Sequence, residues 1–414
     1  MEPVAYLDYN ATAPLRPEAL NAMLPVLQSV GNAASPHGLG RKAAASVAEA
    51  RGQLAELLGC SAGEIFFTSG ATEANNTGLR ACLMPASRLI TSAVEHPAVL
   101  ETARALAKER DIELIVLPVD PDGLLSGDSL KRALRTNRPT VVSIMAANNE
   151  TGVLSDLKMI AEMTHEADAV FHTDATQLVG KLPIDLSVTG IDLLSLSAHK
   201  FGGPQGVGAL FIRRGLGLPH RPLLYGGGQE EGWRAGTLNV AGIVGAGAAA
   251  AAAEANMAAE AGRIHELRDM LEDSLLRGIP AVNVNGARDR RLPHVVSITF
   301  RDAPAEAVLA AMPGVAASDG SACSSGAPEP SHVLLAMGRS REDAENTVRF
   351  SLGYATSRSE IVYTTEVVKA AVARVREMLA SADVAQAARR PEHSGGPVKE
   401  NTARSWPSGL GADV

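Results

Sequence analysis

From about residue 41, helix-period segments alternate with short apolar runs, the pattern of βα units that feed a parallel sheet. A first helix is expected over Arg41 to Leu58, because Val47, Leu54 and Leu58 recur at core spacing and Gly59 supplies a C-terminal stop. Strands are expected at Ile65–Thr68, Leu89–Ser92, Glu113–Leu117, Thr140–Met145, Val170–Thr173, Asp192–Leu196 and Val207–Ile212. Most of these runs are apolar throughout instead of alternating, as they must be when helices cover both faces of a sheet. After Asn239 the register changes. The alanine-rich segment Ala246–Ala261 continues through Ile264, Leu267, Met270 and Leu271 in helical spacing, which predicts one long helix linking two domains. Beyond it Val295–Phe300 alternates like a half-buried strand, and Gly314–Ser318 leads into a cysteine-containing loop. Ser357 and Glu360 form a capping box for a last helix ending near Ala380. From Gln386 to Val414 the chain is rich in Pro, Gly, Ser and charge without periodicity, so a disordered tail is expected.

This order of elements gives an α/β fold: a large domain on a mainly parallel seven-stranded sheet, plus a smaller α+β domain. The chain's 414 residues exceed what one core supports, roughly 250 to 300 residues, so two domains are expected. The expected divisions are 1–14 (a segment joining the small domain), 15–255, 256–385 and the tail 386–414. A net charge of -8 provides no basic field for a phosphate backbone, which argues against direct nucleic-acid binding. Cys60, Cys82 and Cys323 are odd in number and lack C-x-x-C spacing, so neither a disulfide framework nor a metal site is expected. No basic segment followed by an apolar core opens the chain, and its longest apolar stretches are broken by polar residues. A cytoplasmic protein without membrane attachment is the expectation.

Several strand ends carry reactive groups. Ser69-Gly70-Ala71-Thr72-Glu73 lies between a strand and a helix, where free backbone N–H groups and the Thr72 hydroxyl suit a phosphate; plain helix capping is the alternative. Ser197-Ala198-His199-Lys200 places a lysine at a strand end, where a buried amine can form a Schiff base with a cofactor aldehyde, and Ser197 and His199 can reach the same phosphate. Asp174 closes another strand; a carboxylate against a pyridine nitrogen keeps that nitrogen protonated and makes the ring an electron sink. Gln177 and Asn149 are candidate donors to a ring oxygen, or ordinary turn amides. His96, in Val94-Glu95-His96-Pro97, can stack on a ring and shuttle protons. All these groups fall at the carboxyl ends of strands, the edge where open α/β sheets bind ligands.

The wording and spacing of these segments resemble the cysteine desulfurases of the NifS/IscS type, within the class V aminotransferase group, from Tyr6-Leu7-Asp8-Tyr9-Asn10-Ala11-Thr12 to about Thr356. The resemblance implies an aspartate-aminotransferase-like fold (PLP fold type I), a homodimer with active sites at the subunit interface, and pyridoxal 5'-phosphate as cofactor. It assigns Lys200 to the covalent link, Asp174 to the pyridine nitrogen, His96 to ring stacking, and Ala71, Thr72, Ser197 and His199 to the phosphate. It also assigns Thr237, in Arg234-Ala235-Gly236-Thr237, to the partner subunit's phosphate site, and Arg349 to the substrate carboxylate, for which a planar guanidinium fork is suited. Asn149 is expected at both cofactor and substrate.

Gly320-Ser321-Ala322-Cys323-Ser324-Ser325-Gly326 lacks apolar anchors, as an exposed loop does, and matches the longer loop of that family. Cys60 and Cys82 sit beside helical apolar residues and read as buried thiols. The implied reaction converts L-cysteine to L-alanine and leaves a persulfide on Cys323 for an acceptor protein, with Lys200 as general base. Iron–sulfur cluster assembly is one destination for that sulfur. A selenocysteine lyase or an aminotransferase on the same scaffold is the alternative. Asn32-Ala33-Ala34-Ser35 and Thr12-Ala13-Pro14 depart from the family's wording. Gln386–Val414 shows no match to the segment that grips an iron–sulfur scaffold in housekeeping members.

Overall fold

The computed structural model describes residues 5–320 and 329–388, with side chains as far as residue 382. Each expected strand of the large domain is present: Ile65–Thr68, Arg88–Ser92, Glu113–Leu117, Thr140–Ser143, Val170–Asp174, Leu193–Ser197 and Gly208–Ile212. They form one sheet, ordered Ile65, Gly208, Leu193, Val170, Thr140, Arg88, Glu113 by first residue. Five of the seven are linked by parallel pairing. Gly208–Ile212 is antiparallel to both neighbours, so Ile65–Thr68 again points the same way as the parallel set. Six carboxyl ends and the start of Gly208–Ile212 therefore share one edge.

Burial explains the apolar strands. Phe171, Leu194, Leu196 and Phe211 are at most 1% exposed and belong to the same core as the Gly38–Leu58 helix and the first half of the Val240–Gly278 helix. By length and composition that long helix could cross a membrane, but half of its apolar stretch is buried inside the protein. Its small residues serve close packing. A side chain added at Gly247 would meet the Cα of Ala50 at 2.5 Å, so glycine here lets two helix backbones touch.

The same helix changes core along its length. Ile243, Ala246, Ala249 and Ala250 face the large domain, whereas Ile264, Leu267, Leu271 and Leu275 join a second core with Phe300 and Phe350. That second core lies on an antiparallel sheet ordered Thr347–Ser351, Val295–Phe300, Val282–Val284, backed by the helix Arg358–Ala388. The final helix thus runs past Ala380, and only the remainder of the expected tail lies outside the described residues. A helix at Pro17–Leu27 was not foreseen; Pro25 interrupts its pattern, and it packs on the long alanine-rich helix.

The N-terminal segment ties the two cores together. Ala5–Tyr6 pairs with Val315–Ala316 and Asp8 bridges to Ser351, on the small-domain side. Ala13 N–H then bonds His199 O at 2.9 Å and Arg16 N–H bonds Gly202 O at 2.8 Å, on the large-domain side. Asn10 and Ala11 are strung between these anchors, directly beneath Lys200.

Candidate active site

The shared strand edge opens into a cavity of about 470 Å³. Its walls include Ala71, Thr72, His96, Asn149, Asp174, Gln177, Ser197, His199 and Lys200. Nine sequence-selected residues from five separate strand ends thus line one space.

At one end the Ala71–Cys82 helix starts after Gly70. Among the described residues no protein acceptor meets the N–H groups of Ala71, Thr72 and Glu73, so the positive end of the helix faces the cavity. The turn is pressed against the sheet. A Cβ at Gly208 would stand 2.6 Å from Gly70 Cα and 2.5 Å from Leu196 O. Gly208→Ala is therefore expected to displace the turn or part the strands, lowering stability by about 1–3 kcal/mol, as overpacking does. Anion affinity should weaken in parallel; thermal unfolding with and without cofactor checks both, and an unchanged melt would show that the contact is slack.

Asp174 ends its strand 5% exposed, held by Asn75 Nδ2 at 2.7 Å and by Thr176 N–H at 3.0 Å. Asn75 had no signal of its own in the sequence, although a polar residue one turn after Ala71 on the core face of a helix is a detectable anomaly. His96 Nδ1 accepts from Ala98 N–H at 3.0 Å and caps the Pro97–Arg110 helix. Burial, followed by Lys200 and His332, pushes its pKa down against the pull of Asp174, so the ring is neutral and its N–H is on Nε2. His199 Nδ1 lies 3.1 Å from Thr12 Oγ1, and burial together with Lys200 and Lys181 lowers it to about 4.

Lys200 Nζ donates to the carbonyl of Ala11 at 2.9 Å and to that of Asn10. Gln177 Nε2 donates to Asn10 O at 3.0 Å. Among the described residues this leaves Gln177 Oε1, Asn149 Oδ1, Thr176 Oγ1 and Asn75 Oδ1 buried without partners, a concentration of unmet polar atoms that suits a polar ligand or water.

Two sequence-selected residues stand elsewhere. Arg349 is 4% exposed behind Asn149, donating Nη1 to Asn149 O at 2.9 Å and pairing through Nη2 with Asp8 at 2.6 Å. Thr237 is exposed and does not line its own chain's cavity. Cys323 lies outside the described residues.

Two buried acids escaped the sequence reading. Glu95 accepts from Ser92 Oγ at 2.7 Å and Met145 N–H at 2.8 Å, yet burial raises its pKa to about 8. Glu150 accepts from Ser331 Oγ, and burial, with Asp319 adding, raises it to about 7. Together with His332 Nε2 on Glu95 O at 2.9 Å, these contacts fasten the segment after residue 328 to the cavity's rim.

The Aminotransferase class-V family profile matches residues 5–363. The chain is 43% identical over 383 residues to the cysteine desulfurase IscS of Dictyoglomus turgidum, covering 91% of this chain and 96% of that one. It is 47% identical over 384 residues to a cysteine desulfurase of Sinorhizobium fredii, covering 91% and 98%. Its fold is similar to that of a NifS-like protein from Rickettsia africae, with a TM-score of 0.81 at 31% identity, over 89% of this chain and 99% of that one.

Proposed function

The chain belongs to the class-V aminotransferase family, as a pyridoxal-phosphate-dependent cysteine desulfurase, and on that premise we propose how its own residues divide the work. The convergence of Lys200, Asp174, His96 and the Ala71–Thr72 turn on one cavity carries this reading.

The residues fit pyridoxal 5'-phosphate. A free helix N-terminus with Thr72, Ser197 and His199 suits the phosphate, and the anchored carboxylate of Asp174 suits a pyridine nitrogen. The unmet amide oxygens of Asn149 and Gln177 mark the polar wall beside the ring. When bound, the cofactor supplies an electron sink for the substrate's α-carbon.

Lys200 gives up its carbonyl partners, holds the cofactor, and takes the α-proton of L-cysteine when freed. Neutral His96 covers the ring face and offers its Nε2 proton. Arg349 receives the substrate carboxylate in the place of Asp8, whose carboxylate it grips at 2.6 Å. Asn149 bridges the two, lining the cavity while its carbonyl orients Arg349.

Cys323 forms the new S–S bond as the Cβ–S bond of the substrate breaks, leaving alanine and a persulfide that passes to a protein acceptor. Burial pushes the thiol of Cys60 up to about 12 and that of Cys82 further, which disqualifies both as thiolates near neutral pH. Their free state also suits a reducing, cytoplasmic setting. Exposed Thr237, on a chain that also leaves Tyr225 86% exposed, suits a second copy whose phosphate site it completes.

Cys323→Ser tests the sulfur step. Cofactor absorbance should persist while alanine release falls by at least about three orders of magnitude, removal of a covalent nucleophile costing up to about 10⁶-fold. Intact-mass analysis after cysteine addition should find no added sulfur. Alanine formed at the unmodified rate would refute the assignment.

A further inference from the structure

Behind Lys200, away from the main cavity, lies a second lysine. Lys181 and Lys200 line the same small cavity of about 40 Å³ between the two domains, enough for a water molecule.

Hydrogen-bond accounting shows which form of Lys181 its surroundings favour. Asn10 Nδ2 donates to Asn149 O at 3.0 Å, so Asn10 Oδ1 is the acceptor facing His294 Nε2 at 2.8 Å. His294 must therefore carry its hydrogen on Nε2. Lys181 Nζ stands 3.2 Å from that same Nε2. A ring N–H whose hydrogen already goes to Asn10 cannot accept from an ammonium, so this contact disfavours the charged form of Lys181.

The surroundings agree. The charged groups acting on Lys181 are Lys200 and Arg349, both cations, and Arg268 acts on its neighbour His294. Glu260, the carboxylate on the cavity wall, is engaged by Arg16 through two bonds of 2.9 and 2.6 Å. Burial first, then Lys200 and Arg349, lowers Lys181 to about 7. Lys200, by contrast, sits as a donor to two backbone carbonyls.

We propose that Lys181 is a positioning residue for the reaction: it forms with Lys200 a lysine pair that shares one proton across this cavity, so that Lys200 is available as the free amine at neutral pH. A proton on either amine disfavours a proton on the other, and the one that leaves Lys200 is held by Lys181. The proposal rests on the reading of Lys200 as the cofactor-bearing lysine.

The test is a pH titration of the visible absorbance of the holoenzyme, without substrate, for the unmodified protein, Lys181→Arg and Lys181→Met. Arginine makes the second cation permanent and should lower the midpoint of the Lys200-linked chromophore by about one unit, a tenfold change in proton affinity. Methionine removes the cation and should raise the midpoint above that of the unmodified protein, and the acid limb of the kcat profile should follow. If Lys181→Met does not fold, Lys181→Arg against the unmodified protein carries the comparison. Coincident midpoints overturn the lysine pair alone. If the unmodified protein forms no chromophore, the assignment of Lys200 falls, and the pair with it.

Discussion

Lys200→Ala is expected to abolish cysteine desulfuration while leaving a folded protein that still binds pyridoxal phosphate non-covalently. The side chain follows directly on the Leu193–Ser197 strand, in a short turn whose neighbour Ala198 is 1% exposed, so the backbone is held by the core and not by the amine. What alanine removes is the nitrogen that reaches Asn10 and Ala11, the nucleophile and general base of the proposed reaction. Loss of a general base alone costs about 10²- to 10⁴-fold, and loss of the covalent anchor adds to it. Borohydride treatment should no longer fix the cofactor to the chain. Partial recovery by added methylamine would separate a missing amine from a damaged fold, whereas full activity in the variant would show that another residue carries the chemistry.

Asp174→Asn is the second large effect. The carboxylate at the end of the Val170–Asp174 strand accepts from Asn75 and Thr176, bonds that orient it. An amide keeps the shape but loses the charge, and one of its two ends becomes a donor facing donors. A ring nitrogen opposite it would no longer be held protonated, which weakens the sink for charge developing at the α-carbon. Removing one such fixed electrostatic contact typically costs about 10²- to 10³-fold in kcat, and that loss is expected here. Cofactor retention should be little changed, because the proposed phosphate site at the Ala71–Thr72 turn is untouched. A shifted absorbance band with near-normal affinity is the accompanying signature; kcat within a fewfold of the unmodified protein would mean the carboxylate has only a structural role.

The apolar strands and the groups at their ends were legible because both are local. A run such as Leu193-Leu194-Ser195-Leu196 can only be buried, and the residue that follows such a run must emerge at a sheet edge. Lys200, Asp174, His96 and the Gly70–Thr72 turn were found in that way, and the family resemblance supplied their roles. Gly208–Ile212 was legible as a strand but not in its direction, since hydrophobicity carries no sign for parallel or antiparallel pairing. The helix Pro17–Leu27 was missed because its burial depends on a partner helix more than 200 residues away.

Partnerships between distant residues were beyond the sequence altogether. Asn75 under Asp174, Asp8 on Arg349, Glu150 against Ser331, and Lys181 with His294 and Asn10 join residues that the chain separates by many tens to hundreds of positions. Only tertiary packing brings them within bonding distance, and only burial turns them into shifted proton affinities. By itself the sequence determined the strand order along the chain, the sheet edge and the candidate groups placed on it. The tertiary structure decided which of those groups share a cavity, which are already paired, and which lysine has its proton affinity lowered, because desolvation and charge proximity are properties of the fold and not of the chain.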